Sequence, residues 1–300
     1  MIHPAVLRTK SRPERAPARL LVALSLAVLL GGCQTATVLS PQTGERVSVP
    51  QIATPFLGVP VERAQSVLVV DAVSGRVLHQ EDPDGLRFPA SLTKLMTLYL
   101  VFEAIETGRL SIDEELPVSL DAASRPPAKI GVTAGTTIST REAIRALAIR
   151  SANDVAVVLA ERLAGSEPAF AAMMTQRAQA LGLNATRFAN ASGLPDPAHS
   201  TSARDMARLA QMLRARFPAY APAFQASEFH YGGRRFEATN KLLGKVPGVD
   251  GLKTGYTRAS GFHLIATASR GGRSIIVVVL GGATGRERDA RVTELIETYL

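Results

Sequence analysis

The chain has 300 residues, 46% hydrophobic and 20% charged, with 34 lysines and arginines against 26 acidic residues, a formal net charge of +8. That composition is ordinary for a globular protein and excludes a fibre or a disordered chain. Half of the surplus charge lies in the first 32 residues, where Arg8, Lys10, Arg12, Arg15 and Arg19 face only Glu14; the remainder is mild, no basic run is interleaved with aromatics, and no nucleic-acid partner is expected.

The N-terminus has the order of an export signal: a basic stretch, the apolar run from Leu20 to Leu30, then small residues. The run is shorter than the about 20 residues that span a bilayer, so residues 1–32 are expected to be a cleaved signal. It ends in "LGGC", and Cys33 is the single cysteine of the chain. This resembles a bacterial lipobox, which implies an exported, periplasmic protein anchored to a membrane through lipid on Cys33. Gln34, in place of an aspartate, favours the outer membrane by analogy. With one cysteine no intramolecular disulfide can form. Residues 33–60, with prolines at 41, 50, 55 and 60, read as an extended tether, and the folded domain is expected over 61–300.

From Ser66 to Gln80 two β-branched runs flank Ser74-Gly75, a hairpin signal. Helical spacing then runs from Ser91 through Leu95, Met96, Leu98, Tyr99, Phe102 and Ile105 to Gly108, with Pro89 opposing an earlier start. Between about 110 and 225 the chain reads as short helices and loops. Ser139 and Glu142 form a capping box; one helix follows Ser151 to Asp154, another starts near Pro168 and stops at Gly182, and a fourth covers about 202–217. Strand character is expected to return only late, in 249–257 and then in 261–282, where Gly271-Gly272 joins two β-branched runs. An amphipathic helix over about 286–299 finishes the chain. Strands at both ends with helices between predict an α+β fold: an antiparallel sheet flanked by helices, with a mostly helical subdomain inserted at about 110–225.

The chemistry starts at "PASLTKLMT". On a helix, positions three apart share a face, so Ser91 and Lys94 can touch. A hydroxyl becomes nucleophilic when a base takes its proton, and a neutral lysine can do so. An ordinary lysine titrates near 10.4; bringing it to about 7 costs roughly 4 kcal/mol. A fixed cation about 4 Å away supplies about that much at an effective dielectric near 20, and partial burial adds to it. In "SAND", the Ser151 hydroxyl can relay a proton while the Asn153 amide holds substrate or orients Lys94. In "KTG", Lys253 is the candidate second cation and, with Thr254, a carboxylate seat, while Gly255 lets a substrate backbone come close. Each stretch alone has an ordinary structural explanation: a helix cap, a helix corner, a charged strand.

Together "SLTK", "SAN" and "KTG", in that order and within "RSANDVAVVLAE", "FANASGLPDPAHSTSARDMARLA" and "GLKTGYTRASGFHLIATA", resemble the penicillin-recognising serine D,D-peptidases, more narrowly the low-molecular-mass D-alanyl-D-alanine carboxypeptidases. The resemblance implies a β-lactamase/D,D-peptidase-like fold and an enzyme that removes the terminal D-alanine from peptidoglycan stem peptides, with β-lactams as covalent inhibitors. Ser91 would be the nucleophile, Lys94 its base and Ser151 the proton donor to the leaving D-alanine. Asn153 would position substrate, and Lys253 and Thr254 would bind the terminal carboxylate. The N–H groups of Ser91 and Tyr256 would form the oxyanion hole, with no metal or cofactor.

There are departures. Family members often have histidine at the place of Tyr256, and many have an arginine where Ala283 stands; Arg258 or Arg286 are the candidate replacements. Many also carry a C-terminal β-rich domain and an amphipathic membrane helix, so attachment is expected through Cys33 instead. A D,D-endopeptidase would use the same residues. A class A β-lactamase needs a Glu-x-x-x-Asn pattern, which Glu161, Glu167, Glu228 and Glu237 do not supply. A non-catalytic, lipid-tethered wall-binding protein is the alternative of another class. His199 reads as loop structure rather than half of a catalytic pair.

Overall fold

The computed structural model describes residues 64–300; the expected signal, Cys33 and the tether lie outside the described residues. The chain opens with the hairpin of β1 (Ser66–Asp71) and β2 (Val77–Glu81), and a 3₁₀ turn, Ala90–Thr93, leads into α1 (Lys94–Glu106). Then follow β3 (Glu115–Pro117), α2 (Leu120–Ser124), β4 (Thr137–Ser139) and α3 (Thr140–Arg145). A π-helical turn, Ala146–Arg150, precedes α4 (Asn153–Ala164), α5 (Glu167–Ala180) and α6 (Ala203–Arg216). After α7 (Ala221–Gln225) come β5 (Glu228–Tyr231), β6 (Arg234–Glu237), β7 (Val249–Thr257), β8 (Gly261–Arg270), β9 (Arg273–Gly282) and α8 (Gly285–Tyr299).

The main sheet is antiparallel with the order β2-β1-β9-β8-β7, so the N-terminal hairpin is joined to the last three strands. Its centre is covered on both sides. On β9, Ile276, Val278 and Leu280 enter the large core shared with α1, α4 and α6, whereas Ile275, Val277 and Val279 pack on Val292, Leu295 and Ile296 of α8. Burial on both faces explains why this strand is a continuous apolar run. At the sheet's other end β7 is an edge strand, and the 3₁₀ turn that leads into α1 lies beside it.

Two expectations change. The α-helix begins at Lys94, not Ser91, because residues 90–93 form the tighter turn. Strand character also returns before residue 249: β3 pairs with β4 inside the helical region, and β5 pairs with β6 through Gly232 and Gly233, both at positive φ (54° and 71°). The second hairpin is hard to see in the sequence because its stretches, "EFHY" and "RRFE", are mostly polar and only Phe229 and Phe236 are buried, with ring centroids 5.3 Å apart.

Candidate active site

Ser91 stands inside the 3₁₀ turn, where residues three apart eclipse, so its side chain lies over Lys94 at the first position of α1. Lys94 has no exposed surface. Its Nζ lies 2.7 Å from Asn153 Oδ1, 2.6 Å from the Ser192 carbonyl and 3.4 Å from Ser91 Oγ. A neutral amine has two N–H groups and one lone pair. The two short contacts take the N–H groups, which leaves the lone pair for the Ser91 hydroxyl.

The charge state fits that arrangement. Lys94 is held well below the ordinary lysine value, first by burial and second by the charge of Lys253, against the pull of Asp154 and Glu167. From the sequence these causes are expected in the opposite order, with the cation leading and burial adding to it. Burial leads because α1 carries Lys94 beneath the nucleophile, among Thr93, Thr97 and Asn153, all buried.

The second wall starts at the π-helical turn. Ser151 sits at its end with φ 64°, and its hydroxyl is buried with no hydrogen-bond partner. Unpaired buried hydroxyls are rare; this one lines the same cleft as Ser91. Asn153, at the start of α4, connects the walls: Oδ1 accepts from Lys94, Nδ2 donates to the Pro126 carbonyl at 3.1 Å, and its amide donates to the Ala128 carbonyl at 2.7 Å. Asp154 fastens the same lip by accepting from the amides of Ile130, Gly131 and Val132.

The third wall is β7. Lys253 is 1% exposed and donates to its neighbour's carbonyl, Thr254 O, at 3.0 Å, so it lies beneath the cleft surface. Its pKa falls to about 7 through burial and then through the charge of Arg288. Thr254, Gly255 and Tyr256 line the cleft, which measures about 480 Å³. Thr254 Oγ1 donates to Thr239 Oγ1 at 2.8 Å. Tyr256 is 53% exposed and stacks on Phe262 at 4.2 Å. A Cβ on Gly255 would stand 3.3 Å from Ser91 N and 3.4 Å from Ala90 Cβ. The glycine therefore serves the contact between β7 and the nucleophile's turn, a reason different from the expected approach of substrate.

Five contributors were not among the sequence expectations. Arg288, from α8, lines the cleft at 6% exposure, bonded to the His263 carbonyl and paired with Asp289 at 2.7 Å. Arg258 and Arg286, the expected replacements, do not line it. Ser192 supplies the carbonyl that holds Lys94, and Gly193 makes that possible: at φ 79°, a Cβ there would lie 1.8 Å from Ala90 O. Asn190 Oδ1 accepts from the amides two and three positions on, Ser192 and Gly193, so "NASG" is a readable turn signal. Arg150 also lines the cleft. His199 is structural as expected: 2% exposed, it accepts from the Ala189 amide, and burial lowers its pKa to about 4.

Replacing Lys253 with alanine removes a charge that helps keep Lys94 neutral. Lys94 must lose its proton to act, so the acid limb of the kcat/KM profile is expected to move to higher pH, by about one pH unit. An unmoved limb would show that burial alone sets the Lys94 value.

A sheet with a helical wall, and a serine over a buried lysine between them, define the class of active-site-serine enzymes. The family described as D-alanyl-D-alanine carboxypeptidase, peptidase S11, matches residues 56–284, and the chain belongs to that family. It is 35% identical over 252 residues to the D-alanyl-D-alanine carboxypeptidase DacA of Escherichia coli, covering 82% of this chain and 62% of DacA. The structure of penicillin-binding protein 5 from Haemophilus influenzae superposes with a TM-score of 0.76 at 32% identity, covering 80% of this chain and 71% of that one. Penicillin-binding protein D2 of Listeria monocytogenes in the ampicillin-bound form gives 0.68 at 33% identity, covering 79% and 97%. The chain spans about three fifths of the length of the first curated relatives it matches, 61% and 62%.

Proposed function

We propose that this protein is a serine D-alanyl-D-alanine carboxypeptidase acting on peptidoglycan stem peptides. The observation that carries the reading is the buried Lys94 amine beside the Ser91 hydroxyl, with its other two contacts going to Asn153 Oδ1 and the Ser192 carbonyl. Ser91 Oγ attacks the carbonyl of the penultimate D-alanine as Lys94 takes its proton. The amides of Ser91 and Tyr256 stabilise the oxyanion. Ser151 passes a proton to the departing D-alanine, whose carboxylate faces Thr254 and Arg288 on the cleft wall, with Lys253 beneath them. Water then releases the shortened peptide from Ser91.

A β-lactam would acylate the same serine. No acidic side chain lines the cleft among the described residues, and Glu167, the glutamate that acts on Lys94, is held by the Ala191 amide and Arg125. The penicilloyl adduct is therefore expected to persist while the peptide turns over, unlike in a β-lactamase. The decisive experiment is digestion of purified peptidoglycan with mass analysis of the products: loss of one D-alanine from pentapeptides supports the reading. Cleavage of cross-linked dimers with pentapeptides intact would make the protein an endopeptidase, and no cleavage at all would make it a binder. We also propose export and lipid anchoring through Cys33; a Cys33→Ser protein that still fractionates with membranes would end that proposal.

A further inference from the structure

Lys94 makes its two short contacts with acceptors from different parts of the chain, the Asn153 side chain and the Ser192 carbonyl. One buried residue joins what stands behind both. Glu167, the first residue of α5, is 8% exposed. Its Oε1 accepts from the Ala191 amide at 3.0 Å, and its Oε2 lies 2.9 Å from Arg125 Nη2. Ala191 precedes Ser192, and its carbonyl accepts from Thr97 Oγ1 of α1 at 2.7 Å, so the chain leading to the Ser192 carbonyl is held on both sides. Arg125 precedes Pro126, whose carbonyl accepts from Asn153 Nδ2 at 3.1 Å. The contacts close a ring that leaves Lys94 through Ser192 and returns through Asn153, with Glu167 at its far side.

The charge of this carboxylate works against the base. With Asp154 of α4 it favours the protonated amine, whereas burial and Lys253 of β7 favour the neutral one. Asp154 is taken up by three amides, and Arg125, which also pairs with Asp121 at 2.5 Å, stands behind Glu167. A buried carboxylate costs desolvation, and this one also opposes the reactive charge state. What it contributes is direction: a charge-assisted bond to a backbone amide from one oxygen and an ion pair from the other.

We propose that Glu167 is a positioning residue for Lys94: its two oxygens fix the Ala191 amide and Arg125, and through them the two acceptors that aim the amine at Ser91. The proposal rests on the role of Lys94 as base given above. It is tested on the full chain by following the rate constant for acylation of Ser91 by benzylpenicillin against pH, by intact mass, in Glu167→Gln, Glu167→Asp and Arg125→Met. Glutamine keeps an oxygen for the Ala191 amide, turns an NH2 group towards Arg125 and removes a negative charge near Lys94. Its plateau is expected to fall by about 10- to 100-fold, the scale of a misplaced reacting group. Its acid limb is expected to move to lower pH by about half a unit, because the Lys94 pKa loses an influence that raises it. Aspartate keeps the charge but is one methylene too short to reach both partners, so the plateau falls and the limb stays. Arg125→Met leaves Glu167 uncompensated, and the limb is expected to move to higher pH; this partly exposed position also carries the test if the Glu167 variants do not fold. Wild-type plateaus in folded variants, or losses with the limb unmoved in both Glu167→Gln and Arg125→Met, would overturn the proposal. Wild-type protein that penicillin acylates but that leaves peptides intact would count against the carboxypeptidase reading alone. A wild type that penicillin does not acylate would remove the base, and this proposal with it.

Discussion

The Ser91→Ala protein is expected to show no mass gain after exposure to penicillin and to lose peptide turnover by about 10⁴-fold or more. Only one hydroxyl has the base beside it. Lys94 Nζ is 3.4 Å from Ser91 Oγ, and its other two contacts go to Asn153 and Ser192. Ser151, whose hydroxyl also lines the cleft, has no hydrogen-bond partner to take its proton, so it is not expected to act as nucleophile. Fold and melting temperature should be unchanged, because the Ser91 hydroxyl makes no hydrogen bond besides the one to Lys94. Intact-mass analysis of the variant checks this directly: an adduct surviving Ser91→Ala would place the attacking oxygen elsewhere, with Ser151 the first residue to examine.

The parts of this site that a sequence shows are those carried by short spacing. Ser91 and Lys94 are three apart, Ser151 and Asn153 two apart, and Lys253 to Tyr256 are contiguous; each group is positioned by one local element. The alternation of Val67 to Val70 and the apolar run of Ile275 to Leu280 likewise fix strands whose two faces meet different cores. Contributors that depend on distant segments were not legible. The Ser192 carbonyl reaches Lys94 across 98 positions, and only a packed backbone shows that Gly193 must be bare to lie against Ala90. Arg288 enters from the last helix, two residues beyond Arg286, one of the two replacements expected from the sequence, because α8 turns position 288 inwards to the cleft. Burial is likewise a property of the whole fold, which is why the sequence argument overweighted the neighbouring charge in lowering the Lys94 pKa.

Lys94→Ala is expected to lower kcat/KM for acylation by on the order of 10³–10⁴-fold, the upper range for losing a general base, and to abolish the acid limb of the pH profile. In the wild type, activity rises with pH as Lys94 gives up its proton, since only the neutral amine can accept from Ser91. Burial places that transition well below the ordinary lysine value, and the charge of Lys253 pushes in the same direction until Lys253 itself titrates at about 7. The buried histidines cannot imitate the limb, because both His199 and His263 titrate at about 4. A limb that survives in the variant near pH 7 would therefore belong to Lys253, and the base would have to be reassigned. Alanine also leaves a void and removes the donors to Asn153 Oδ1 and Ser192 O, so part of its loss could come from a shifted cleft. Lys94→Met, close to lysine in length and without a basic nitrogen, removes the void from the comparison: it fills the space but neither takes nor donates a proton. Equal rate losses in both variants would exclude the void as the cause and leave the loss of the amine itself. A methionine variant retaining more than about a tenth of wild-type acylation would show that general-base catalysis, worth 10²-fold or more where it operates, does not run through this amine.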